Sequence, residues 1–146
     1  MGVFEHLMQD LGKIIGLNLQ LDANLSCCLT FPSDRLSIQI DLDPNGDQIL
    51  IGTQLGEIFP GPYRERIFIQ AMRMNGGSYS PRGILAFSEK NSRFVLFQFL
   101  PLPSLNAEQL YQFIQTFCEH AKIWKDAVEK GEIPAMQLDL PSRDGS

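Results

Sequence analysis

Apolar residues recur along this chain first at helical spacing and then at strand spacing. The switches between the two periods mark its elements. Over residues 3–17, Phe4, Leu7, Met8, Leu11, Ile14 and Ile15 fall at i, i+3 and i+4, while Glu5, Gln9, Asp10 and Lys13 fill most of the other face. That spacing predicts an amphipathic helix, with Gly16 near its end as the stop. Asp22-Ala23-Asn24 reads as a turn, and 25–31 (LSCCLTF) as a first strand closed by Pro32. The next segment alternates strictly: Leu36, Ile38, Ile40 and Leu42 against Ser37, Gln39 and Asp41. A half-buried strand is predicted there. Asp43-Pro44-Asn45-Gly46-Asp47 is a hairpin turn, since Asn-Gly accepts positive φ at little cost. The return strand over 48–55 completes a three-stranded antiparallel meander.

After the loop EIFPGP, Pro62 suits a first helical position, where its missing N–H is not needed. A second helix is predicted over 63–74, ended by Asn75-Gly76-Gly77, and 78–83 reads as a flexible link. Two apolar runs follow, 84–87 (ILAF) and 94–100 (FVLFQFL), joined by the polar turn SEKNSR and stopped by Pro101-Leu102-Pro103. The last helix, over 107–130, opens on Asn106 with Gln109 in capping-box position. Its stripe is Leu110, Phe113, Ile114, Phe117, Ala121, Trp124 and Val128, and Gly131 and Pro134 stop it. The order is α-β-β-β-α-β-β-α. Strands grouped in hairpins with helices set apart mean an α+β fold with a twisted antiparallel sheet, packed on one face by the helices.

Two stretches carry more apolar surface than one sheet face can hide. Phe94, Leu96 and Leu100 lie on one side of their strand, and Val95, Phe97 and Phe99 on the other. A strand with one solvated face should alternate, so the second face is expected to be covered, by this chain or another. The second helix carries Ile67, Phe68, Ala71, Met72 and Met74 around much of its circumference, which suggests a dimer contact.

Composition narrows the function. At 146 residues, 44% hydrophobic and 20% charged, the chain reads as a single domain over 1–140 with a flexible C-terminal tail, 141–146. A net charge of -5 argues against nucleic acid, which needs a basic face. No apolar run approaches the ~20 residues that span a bilayer, so no membrane insertion is expected. The N-terminus lacks a basic region before its apolar residues, which argues against a secretory signal. His6 stands where a myristoylation motif has Ser or Thr.

Cys27, Cys28 and Cys118 form no disulfide framework and suggest a reducing cytosol. Cys118 and His120 stand two apart on a helix and point to different faces, and no ligand pair has zinc spacing. Asp41, Asp43 and Asp47 surround a turn without the ligand frame of a calcium loop. There is no phosphate-binding loop and no marked nucleophile turn. The expectation is therefore no enzyme, no catalytic residue, no metal and no cofactor, but a protein that binds another protein.

The chain resembles the class I type III secretion chaperones, the Tir-chaperone family. The resemblance covers about residues 3–133 and rests on the order of elements, the acidic character and local patterns. These are the helix ending AMRMNG, the hairpin GILAFSEKNSRFVLFQFLPL and the helix AEQLYQFIQTFCEHAKIW with its late Trp124. IFIQAMRMNG and HAKIWKDAVEKGEIP look most like chlamydial members.

The resemblance implies a cytoplasmic bacterial protein. It would bind the N-terminal segment of a secreted effector in extended form, keep it soluble and secretion-competent, and deliver it to the secretion apparatus. It implies a dimer through the second helix, at Ile67, Phe68, Ala71 and Met74, as a homodimer or a heterodimer with a related chaperone. Effector binding would fall to Phe4, Leu7, Met8, Leu11 and Ile15 of the first helix, with Phe97 and Phe99 of the sheet. A client strand could also pair with a sheet edge. The competing reading is a dimeric α+β adaptor or regulatory protein that binds a folded partner.

Overall fold

The computed structural model describes residues 2–31, 35–76 and 83–135. Pro32, most of the link 78–83 and the tail 141–146 lie outside the described residues. Within them the order is α1 (Val3–Ile15), β1 (Ser26–Phe31), β2 (Leu36–Leu42), β3 (Gln48–Glu57), α2 (Pro62–Gly76), β4 (Ile84–Ser88), β5 (Arg93–Pro101) and α3 (Ala107–Lys130). This is the order that the periodicity predicts.

The strands form one five-stranded antiparallel sheet in the order β1-β2-β3-β5-β4. β1, β2 and β3 pair as a meander. At the β2–β3 turn Gly46 adopts φ 77° and its N–H donates to the Asp43 carbonyl at 2.7 Å. The second hairpin docks with β5 inward against β3, which leaves β1 and β4 as the two outer edges.

All three helices pack on one side of the sheet. α1 ends at Gly16, whose left-handed φ of 75° turns the chain away. α3 begins with the complete capping box: Gln109 N–H donates to Asn106 Oδ1, and the Gln109 side chain accepts from Asn106 N–H. Such a cap contributes about 1 kcal/mol. Between helices and sheet lie Phe4, Met8, Leu11, Phe117 and Trp124 from α1 and α3, against Ile38, Ile40, Ile49, Ile51 and Leu96 from the strands. The Phe94 and Trp124 rings sit 5.8 Å apart, and Phe68 of α2 stacks on Phe94 at 6.2 Å.

Leu55 continues the buried alternation of Ile49, Ile51 and Thr53 into this core, and the β3–β5 register shifts there between Gln54 and Gly56. Gly56 is needed at the shift. Its φ is 137°, and a Cβ there would lie 3.0 Å from Val128 of α3.

The side of the sheet away from the helices is only partly filled. β5 buries Phe94 and Leu96 toward the helices, while Val95 and Phe97 are half-buried and Phe99 is 41% exposed on the other side. No described helix of this chain covers that second face. Among the described residues no helix is long and apolar enough to cross a membrane.

Candidate functional site

The helices close over the middle of the sheet but leave a cleft at its β1 edge, of about 390 Å³. Leu11 and Ile15 of α1, Leu29 and Phe31 of β1, and Tyr111, Ile114 and Cys118 of α3 line it. Gln115, Glu119 and Lys122 stand at its rim on an exposed stripe of α3. Apolar walls with a few polar groups at the mouth are the make-up of a binding cleft. Leu29 and Phe31 reach it because alternate residues of a strand share one face. Tyr111, Ile114 and Cys118 reach it because their spacing places them along one side of α3.

The strand beside the cleft has free backbone. Outward and inward peptide groups alternate along an edge strand. The Leu25 carbonyl accepts from Leu42 N–H of the sheet, so Ser26, Cys28 and Thr30 turn theirs outward. Asp22 satisfies Ser26. Its N–H donates to the Ser26 carbonyl and its Oδ1 accepts from Ser26 N–H, both at 3.0 Å. Among the described residues nothing hydrogen-bonds the outward groups of Cys28 and Thr30.

The helix-free face of the sheet divides in two. Toward β1 and β2 it is polar: Asp41 accepts hydrogen bonds from the Ser26 hydroxyl and from Gln39 Nε2. Toward β5 and β4 it is apolar, with Leu50, Val95, Phe97, Phe99, Ile84 and Ala86 on the surface alternation. The Phe97 and Phe99 rings meet edge-on at 6.1 Å. A third exposed apolar group lies on and before α2: Phe59 is 68% exposed, Ile69 52% and Met72 72%.

The residues singled out from sequence fall in three places. Phe4, Leu7, Met8 and Leu11 face the core of the single chain, and Leu11 also forms the floor of the cleft. Ile15 is half-buried at the cleft, whereas Phe97 and Phe99 lie on the far side of the sheet. On α2, Ile67, Ala71 and Met74 face inward, and Phe68 is half-buried against Phe87 at 5.0 Å. Sequence reasoning missed Leu29, Phe31, Tyr111 and Cys118 as one surface. The signal was present, as the alternation in SCCLTF and as a second stripe on α3 beside the core stripe.

Burial pushes the Cys27 thiol up, with neighbouring Cys28 adding to the effect. Cys27 is buried and Cys28 exposed, on opposite faces of β1. Tyr63 of α2 reaches the end of α3, where its hydroxyl lies 3.0 Å from the Ala127 carbonyl and 2.8 Å from that of Glu132. Burial and the nearby Glu132 charge push its pKa up to about 12. Among the described residues no group of three or more His, Cys, Asp or Glu side chains could hold a metal ion.

The family model of the Tir chaperone protein (CesT) family matches residues 6–125. No curated protein sequence matches the chain. Several solved structures share its fold. A chain of the HopA1–SchA chaperone–effector complex superposes with a TM-score of 0.69 at 17% identity, covering 86% of this chain and 94% of that one. The Yersinia pestis type III secretion chaperone SycH, in complex with a stable fragment of YscM2, gives 0.66 at 12% identity, with 81% and 96% covered. The ExoT–SpcS complex from Pseudomonas aeruginosa gives 0.63 at 17% identity, with 82% and 95% covered.

Proposed function

Because this chain belongs to the Tir chaperone protein (CesT) family, we propose that it is a type III secretion chaperone of the bacterial cytoplasm, acting by binding and not as an enzyme. It takes the N-terminal segment of a secreted effector in extended form, keeps it soluble and hands it to the secretion apparatus. One observation carries the reading: an apolar cleft lies directly beside a strand edge whose peptide groups at Cys28 and Thr30 are open. An incoming strand gains main-chain hydrogen bonds there with little demand on its sequence, while alternate side chains enter the cleft over Leu11, Ile15 and Phe31. Phe4, Leu7 and Met8 act from beneath by fixing α1 on the sheet. Phe97 and Phe99 offer a second apolar patch to a client that wraps around the sheet.

The similar structures support this reading, since one is the HopA1–SchA chaperone–effector complex and another a type III secretion chaperone. Ordering a disordered segment consumes part of the contact energy, which keeps such binding reversible. Dimerisation is proposed through α2. Its inward residues Ile67, Ala71 and Met74 hold the helix in place, Phe68 sits at the margin, and Ile69 and Met72 make the contact. The mate is a second copy or a related chaperone.

The test is light scattering on the purified protein, alone and with the N-terminal segment of a secreted protein encoded nearby. A dimer that takes up one segment is expected. Phe31→Asp should abolish uptake while leaving the melting temperature close to that of the parent, because Phe31 is only half-buried. A chain that ignores such segments but captures a folded partner would favour the adaptor reading.

A further inference from the structure

The second edge of the sheet is closed by a side chain. Asn75 stands in the last turn of α2, and its carboxamide meets Leu85, the second residue of β4. Its Nδ2 donates to the Leu85 carbonyl at 2.7 Å, and its Oδ1 accepts from Leu85 N–H at 2.9 Å. Leu85 pairs with Leu96 of β5 in register, yet both of its own peptide groups turn outward to Asn75. A carboxamide carries one donor side and one acceptor side, as a peptide group does. Asn75 therefore occupies this edge as one residue of a sixth strand would. The lock is held firmly, because Phe68 of the same helix packs on Phe87 and the Arg64 guanidinium lies 4.3 Å above the Phe87 ring. Leu85 itself is buried, so water competes poorly for its peptide groups.

We propose that Asn75 is a specificity-determining residue that denies β4 to strand addition and leaves β1 as the sheet's one receiving edge. Unpaired edges invite other strands, and this five-residue edge strand, filled at Leu85, keeps outward peptide groups only at Phe87, too few to hold one. β1 is capped differently. Asp22 satisfies only its first residue and leaves the stretch beside the cleft open. Each protomer is thereby limited to one extended segment. The consequence for client binding rests on the chaperone reading above, whereas the lock itself rests on the geometry at Leu85.

The test uses the full chain, with a second copy as the probe. Asn75→Ala should speed hydrogen exchange at the Leu85 amide by about tenfold or more. It should also add a concentration-dependent association that doubles the parental mass in sedimentation. Adding Ala86→Lys, a charge on the edge strand, should return the mass to the parental value. If Asn75→Ala exchanges faster at Leu85 yet keeps the parental mass at every concentration, Asn75 only staples helix to strand and the proposal is overturned. Should Asn75→Ala fail to fold, Asn75→Asp serves. It keeps the acceptor and loses the donor, and it should associate partially; an unchanged mass overturns the proposal equally. Because no client enters this experiment, failure of client uptake by the parent would sink the chaperone reading and leave this result standing.

Discussion

The two faces of the single sheet differ sharply. Toward the helices Ile38, Ile40, Ile49, Ile51, Leu55 and Leu96 have no accessible surface, and Trp124, Phe117 and Leu11 close over them equally completely. On the far face the same strands present a polar half around Asp41 and an apolar half around Phe97. Phe94 and Phe97 stand three residues apart on β5, yet one is 1% exposed and packed on Trp124, while the other is half-buried beside Phe99 on the far face. All three helices are spent on one face. The remaining apolar surface, namely the β1 cleft, the Phe97–Phe99 patch and the outer side of α2, stays accessible. The core thus lies between helices and sheet, while open apolar surface remains at the β1 edge, on the far face and on the outer side of α2, and substitutions should separate the two.

The largest effect is expected where the covered face is broken. Trp124→Ala should cost about 3–5 kcal/mol, a large share of a small domain's stability, and chemical denaturation would measure it. Leu11→Asp should be equally damaging, since it places a charge at a fully buried position; a variant that melts like the parent would move Leu11 out of the core. Next comes Phe97→Ser on the far face. It should change stability by less than about 1 kcal/mol but weaken client binding by about tenfold in a titration. Equal losses in both would erase the contrast between the faces.

A smaller effect concerns pH. The folded chain holds Tyr63 protonated up to about 12, above its ordinary 10. Its contribution is complete below pH 10 and is lost as pH rises from about 10 to about 12, because the unfolded chain releases that proton earlier. Tyr63→Phe should flatten the melting temperature over that window. The smallest effect is expected for Arg35→Ala, which removes an exposed pair with Glu129 at 2.6 Å. The guanidinium holds the Glu129 carboxyl below its usual range. Solvent and salt screen this pair, so the melting temperature should barely move and should move less at high salt.

Much of this architecture is legible from local chemistry. The β2 alternation, the Asn45-Gly46 turn, the Asn106–Gln109 box and the Gly16 stop each act within a few residues, so sequence alone reveals them. Element order and the antiparallel grouping follow from the same signals. The site was less legible. The first helix shows one apolar stripe, and nothing in its spacing tells Leu11 at the floor of a cleft from Phe4 deep in the core. The second helix is apolar on several sides, and only its packing shows that Ile67 and Met74 turn inward while Ile69 and Met72 face out.

The list of elements, their order and the surplus of apolar surface are written in short-range signals, periodicity and capping, and so are readable residue by residue. Which of that surface stays open is fixed by the folded packing. That packing brings β1 beside α1 and α3 to form the cleft, and carries Asn75 of α2 onto Leu85, ten positions along the chain. Both outcomes depend on where separate elements dock, and docking is settled by the packing of the whole core.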